Sequence, residues 1–228
     1  MQQKRFDVMP GTTPTIINAS ESHMALVFVL DVSYSMDGPP IDQLNAGLNR
    51  FKDEVCQDKQ TRDILDVAVI QFNDSHSVVQ DFVPIEYMES IQLAADGATE
   101  FTAPIREALR MVDERSRFYR HSGTEPYKPW IILVTDGEPL DNIDAVITEV
   151  AEMQDAGKVR FIALGVGDYD SDTLKRLTDV VFRMDGTDFT AFFDWVGKSM
   201  RSVSTTAPGE KAPLPPLEGN VFRDVSDI

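Results

Sequence analysis

The chain has 228 residues, 42% of them hydrophobic, and a formal net charge of −17. That length and apolar content suit one α/β domain with tails and a real core. The acidity sets up long-range repulsion against DNA, RNA and anionic lipid, which excludes them as main partners and favours cations and basic protein surfaces, although most such carboxylates serve simply as a solvated surface.

Residues 1–23 read as a polar lead-in arm, with Pro10, Gly11 and Pro14 and only Ile16-Ile17 apolar, enough for one short edge strand. The core begins at Met24. Ala25-Leu26-Val27-Phe28-Val29-Leu30 is an apolar run closed by Asp31, with Ser33 and Ser35 at alternate positions. Such a run reads as a buried strand that delivers its polar groups onto one rim. Gly38-Pro39-Pro40 then breaks the chain and opens a helix, since proline is tolerated in a first turn. Ile41, Leu44, Leu48, Phe51 and Val55 recur at helical spacing, so one face packs on a sheet.

Asp66–Phe72 is the next strand, and Ser77–Phe82 returns across Asn73-Asp74-Ser75. So short a link predicts a hairpin, and with it one antiparallel edge strand in an otherwise parallel sheet. Residues 85–97 read as a short helix or covering loop that uses Ile91 and Leu93. Gly97-Ala98-Thr99-Glu100-Phe101-Thr102 is a loop, and Thr102 and Pro104 start a helix whose face is Ile105, Ala108, Leu109, Val112 and Tyr119.

Trp130–Thr135 is a second apolar strand closed by a carboxylate, Asp136. Asp141 is expected to cap the helix that follows, striped by Ile143, Val146, Ile147, Val150 and Met153 and stopped at Gly157. Val159–Gly167 is a further strand, a short helix surrounds Leu174–Leu177, and Val180–Met184 is the last strand. The final helix, Asp188–Ser204, is strongly amphipathic through Phe189, Phe192, Phe193, Val196, Met200 and Val203. Residues 205–228 are rich in proline and read as a flexible tail. The folded domain is thus residues 24–204. Strands alternating with helices predict a doubly wound, mostly parallel sheet with helices on both faces, and ligands outside the carboxyl ends of its strands.

Both carboxylate-ended strands point to that rim. Asp31, Ser33 and Ser35 occur at spacing two, which projects them to one side of an extended chain. Thr99 and Asp136 add oxygens from two other loops. Two carboxylates and three hydroxyls suit Mg²⁺, with Mn²⁺ or Ca²⁺ as alternatives, and the lack of a Cys/His cluster argues against zinc. Two aspartates balance a divalent charge, and hydroxyls and water complete its shell.

The trio Asp31-x-Ser33-x-Ser35, Gly97-Ala98-Thr99 and Thr135-Asp136-Gly137 resembles the metal-ion-dependent adhesion site of von Willebrand factor type A domains. The run Met36-Asp37-Gly38-Pro39-Pro40-Ile41 through Leu48, together with Pro129-Trp130-Ile131, is similar to the bacterial TerY/YegL group. The resemblance implies that Asp31, Ser33, Ser35, Thr99 and Asp136 hold the metal. It implies a protein partner that adds an Asp or Glu to the shell, in a stress-response or tellurite-resistance system with kinase or phosphatase partners. Tyr34 departs from the family, standing where glycine is common and able to crowd the rim. Thr102 stands where many relatives have glycine.

Enzyme motifs are scarce. Neither G-x-G-x-x-G nor G-x-x-x-x-G-K-[ST] is present, and there is no G-x-S-x-G elbow. His23, His76 and His121 read as surface residues. The expectation is a non-enzymatic adaptor, the alternative a Mg²⁺-dependent phosphohydrolase or phosphotransferase using Asp31. Cys56 reads as a packing residue, since one cysteine forms no internal disulfide. No run approaches a membrane span, and Met1–Asp7 leads into no signal-like stretch, so the expected location is the cytoplasm.

Overall fold

The computed structural model describes residues 21–224. Its centre is a seven-stranded sheet of order β3-β2-β1-β4-β5-β6-β7, comprising β1 (Met24–Asp31), β2 (Leu65–Phe72), β3 (His76–Pro84), β4 (Trp130–Thr135), β5 (Arg160–Val166), β6 (Val181–Met184) and β7 (Val221–Arg223). Strands β1, β2, β4, β5 and β6 are mutually parallel. Strand β3 is antiparallel to β2, as the short Asn73–Ser75 link requires. The sequence reading anticipated one antiparallel edge. There is a second, because β7 pairs antiparallel with β6.

The central strands are buried on both faces, and alternate side chains enter two separate cores. From β1, Met24, Leu26, Phe28 and Leu30 join the core under α1 (Pro39–Val55) and α6 (Thr190–Ser204). Val27 and Val29 join the core under α3 (Thr102–His121), α4 (Asp144–Asp155) and α5 (Ser171–Leu177). Helix α1 meets α6 at Gly47, where a Cβ would stand 2.5 Å from the Phe193 ring. A short helix that the sequence reading passed over, α2 (Lys59–Ile64), starts on an Asp58 cap and lies against the end of α6, where Thr61 and Ser204 hydroxyls meet at 3.1 Å.

Residues 85–97 form a single 3-10 turn and then a covering loop, held by two side-chain amides of α1. Asn45 donates to the Leu93 carbonyl (2.9 Å) and accepts from the Leu93 N–H (2.8 Å). Asn49, one turn on, does the same for Ile91 at 2.9 and 3.1 Å. Each amide replaces the partner strand that the loop lacks.

The expected arm lies outside the described residues except for its last three. His23, read as a surface residue, is buried. It stacks on Tyr119 at 5.4 Å and stands 3.7 Å from the Asp66 carboxylate, which also accepts from Arg115 at 2.8 Å. Where the sequence reads as a flexible tail, residues 205–224 lie against the domain. Their prolines keep them extended, the Pro215 carbonyl accepts from the Trp195 indole (3.0 Å), Leu214 and Leu217 pack on the α6 core, and the segment ends in β7.

Candidate functional site

Strand order reverses between β1 and β4, whose neighbours lie on opposite sides, so a crevice opens outside their carboxyl ends. Asp31 is the last residue of β1, and Asp136 directly follows β4. Asp31 is fully buried. One of its oxygens accepts the Ser33 N–H at 2.8 Å, the other the Thr135 hydroxyl at 2.5 Å. Thr135 in turn accepts the Gly137 N–H at 3.1 Å, which ties the two strand ends together. Sequence reading missed this role of Thr135, although a hydroxyl one place before a strand-closing carboxylate is a usable signal.

The rim hydroxyls form a chain. Ser33 and Ser35 stand 3.1 Å apart, and Ser35 donates to Asp136 at 2.7 Å. Burial pushes the Asp31 carboxyl up to about 6, opposed by the hydrogen bonds from Thr135 and Ser33 and reinforced by the neighbouring Asp136 charge. Burial also raises Asp136, against the Ser35 hydrogen bond. Two carboxylates that burial holds toward their protonated forms make a site whose charge a cation would compensate.

A third loop is clamped between these two. The Asp96 N–H donates to the Val32 carbonyl (2.8 Å) and the Tyr34 N–H to the Gly97 carbonyl (2.9 Å). Gly97 is needed twice over: its φ is +78°, and a Cβ would come within 3.0 Å of the Asn73 amide. Thr99, beyond it, is buried, and its hydroxyl lies 3.2 Å from where a Cβ on Gly137 would stand. Thr102 is occupied elsewhere, donating to the Asn142 carbonyl at 3.1 Å. Tyr34, expected to crowd the rim, is 71% exposed.

Asp141 does not cap the helix after it. Its two oxygens accept the Phe101 and Thr102 N–H groups at 2.8 and 2.9 Å, so it caps α3 from 40 positions away. The start of α4 falls instead to Asn142, which accepts the Asp144 N–H at 2.9 Å. Burial acts to raise Asp141, but the hydrogen bonds from Thr102 and Phe101 outweigh it and hold its carboxyl below the usual range. This crosslink, with the Leu140 N–H on the Thr99 carbonyl (2.9 Å), fixes the Thr99 and Asp136 loops side by side.

The five sequence-predicted residues, Asp31 at the end of β1 and the other four on the loops beyond the strand ends, therefore lie at one crevice. Among the described residues, no group of three or more His, Cys, Asp or Glu is suited to a metal. The donor set here is hydroxyl-rich with two carboxylates, hard oxygens that fit a divalent cation retaining water.

The sequence model of the von Willebrand factor type A domain matches residues 25–194. The chain belongs to that family. Among solved structures, this von Willebrand A domain is similar to the pilus adhesin SpaC from Lactobacillus rhamnosus GG in its open conformation, with a TM-score of 0.66 and 16% identity over 79% of this chain and 30% of that one. It is similar to the vWF domain of the type V pili tip protein Mfa5 from Porphyromonas gingivalis, at a TM-score of 0.63 and 12% identity over 83% and 98% of the two chains. It is also similar to proximal thread matrix protein 1 from the mussel byssus, whose structure has a zinc-occupied MIDAS motif, at 0.55 and 21% over 83% and 46%. At such identities the likeness speaks for the fold, and the chain spans less than a third of SpaC. No curated protein matches. Family members of this kind commonly mediate metal-dependent protein interactions.

Proposed function

We propose that this chain is a divalent-cation-dependent protein-binding adaptor in which Asp31, Ser33, Ser35, Thr99 and Asp136 hold the ion. Mg²⁺ is the assigned metal and an Asp or Glu of a partner protein completes its shell. The observation that carries this reading is the meeting of the two strand ends: Asp31 accepts the Ser33 N–H, the Ser33 and Ser35 hydroxyls stand 3.1 Å apart, and Ser35 donates to Asp136, 101 positions on. Bound there, the ion supplies a positive centre that a carboxylate can ligate. The protein's part is to hold both aspartates close and shielded from bulk water, so that the ion takes the place of their lost hydration. The zinc in the byssus protein's motif widens the metals to be compared, since the argument against zinc rested on absent Cys and His alone.

The environment of Asp31 speaks against the phosphotransferase alternative. A strand-end aspartate nucleophile works beside a second carboxylate two places on, and here that place is Ser33. By resemblance to the TerY/YegL group, the assigned setting is the bacterial cytoplasm, in a stress-response or tellurite-resistance system with kinase or phosphatase partners.

The test is titration calorimetry of Mg²⁺, Mn²⁺ and Zn²⁺ into wild type and Asp31→Ala. Binding by wild type that disappears in the variant is expected. Equal affinity in both sinks the metal assignment.

A further inference from the structure

The rim carries two features that its metal ligands do not account for. The first is charge. Beyond Asp31 and Asp136, the loops 31–40, 72–76, 94–102 and 135–142 hold Asp37, Asp74, Asp96, Glu100, Glu138 and Asp141, and no Lys or Arg. All of these but Asp141 are exposed. A divalent ion balances the two ligand aspartates and leaves the five exposed carboxylates unanswered, Asp141 being taken up by the start of α3. A partner carboxylate approaching this face alone would meet net repulsion, so the segment that carries it must bring cations of its own.

The second feature is apolar. Tyr34 is 71% and Leu140 75% exposed, the two highest values among the large hydrophobic residues described. They sit on different loops but at one place. The Tyr34 N–H bonds to the Gly97 carbonyl and the Leu140 N–H to the Thr99 carbonyl, each at 2.9 Å, so their backbones grip the same loop two residues apart. Two residues of extended chain span roughly 7 Å, about the width of one side chain. Tyr34 also lies between Ser33 and Ser35, and Leu140 four places beyond Asp136. An aromatic and an aliphatic side chain thus flank the position where a partner carboxylate would arrive. Exposed aromatic anchors beside a charged contact are a common interface arrangement.

Resting on the metal-dependent reading above, we propose that the partner of this rim is a basic segment: one Asp or Glu flanked by Lys or Arg, with an apolar residue seated against Tyr34 and Leu140. The charge ring selects the flanking cations and steers the encounter. The apolar pair holds the bound segment.

The probe is a phage-displayed library of random peptides, selected on the full chain in Mn²⁺ and eluted with EDTA. Selection is repeated on the double variant Tyr34→Ser/Leu140→Ser, with calorimetry of Mn²⁺ alone on both proteins as a check on the site. Enriched peptides should carry a single carboxylate among Lys and Arg plus an apolar residue. As synthetic peptides they should bind the double variant roughly tenfold more weakly, while its Mn²⁺ affinity stays that of wild type. The proposal is overturned if EDTA releases no enriched peptide, if the peptides lack a basic excess, or if the double variant binds them as well as wild type does. Loss of Mn²⁺ binding by the wild type would instead bring down the metal reading beneath it, so the two failures are distinguishable.

Discussion

The Ser35 hydroxyl donates to the Asp136 carboxylate over 2.7 Å, joining the loop after β1 to the end of β4. Asp31 and Asp136 are each legible as the carboxylate that closes an apolar strand. Their meeting follows from topology, because β1 and β4 are adjacent, parallel and at the point where strand order reverses. The consequence is a site whose strength depends on how closely three loops are held.

Gly137 tests the third of those loops. Its φ is not among the positive ones, so alanine fits the backbone, but the added Cβ would stand 3.2 Å from the Thr99 hydroxyl. Gly137→Ala is expected to weaken Mg²⁺ or Mn²⁺ binding by about tenfold through displacement of Thr99, with the fold intact. Calorimetry beside circular dichroism checks this. Unchanged affinity would remove Thr99 from the ligand set.

Asp31 should take stability from the metal-free protein as pH rises from about 4 to about 6, against carboxylates such as Asp141 and Asp224, whose lowered pKa acts in the opposite direction. Burial lifts Asp31 from 3.8 to about 6, so across that window its carboxyl binds more protons in the native state than in the unfolded chain, and its contribution to stability falls with pH. The shift amounts to about 3 kcal/mol at most. Asp136, raised for the same reason, acts in the same direction. Urea unfolding in EDTA at about pH 4 and about pH 7 reads the slope, which Asp31→Asn should raise, as should saturating Mg²⁺ at the higher pH. A pH slope that Asp31→Asn leaves unchanged from wild type would contradict the assignment.

The two amides of α1 make a separate claim about the loop behind the rim. Asn45→Ala leaves the N–H and carbonyl of buried Leu93 without their partners and should cost about 2 kcal/mol or more. Asn49→Ala, whose loop contacts are only partly buried, should cost less. Denaturant midpoints rank the two, and equal losses would contradict the clamp.

What the sequence displays depends on whether a signal is local. Strand ends, helical stripes and the Asp-x-Ser-x-Ser spacing are local, and the strands and longer helices recur in the structure within a few residues. The partner of a polar side chain is not local. Asp141 precedes a helix and reads as its cap, yet it serves α3, 40 positions back, because β4 delivers it beside that helix end. His23 looks like a surface residue until Asp66 and Tyr119 arrive from β2 and α3 to bury it. Asn45 and Asn49 likewise find Leu93 and Ile91, more than 40 positions on, only once the loop lies against α1. Strand β7 has three residues, too few for any periodicity, and is identified only by its pairing with β6.

Manganese can be seen at this rim. Crystals of the full chain grown with Mn²⁺ and measured at the manganese absorption edge should give an anomalous peak in the crevice between β1 and β4, bounded by oxygens of Asp31, Ser33, Ser35, Thr99 and Asp136. A peak elsewhere, or none in that crevice at saturating Mn²⁺, would contradict the proposed site.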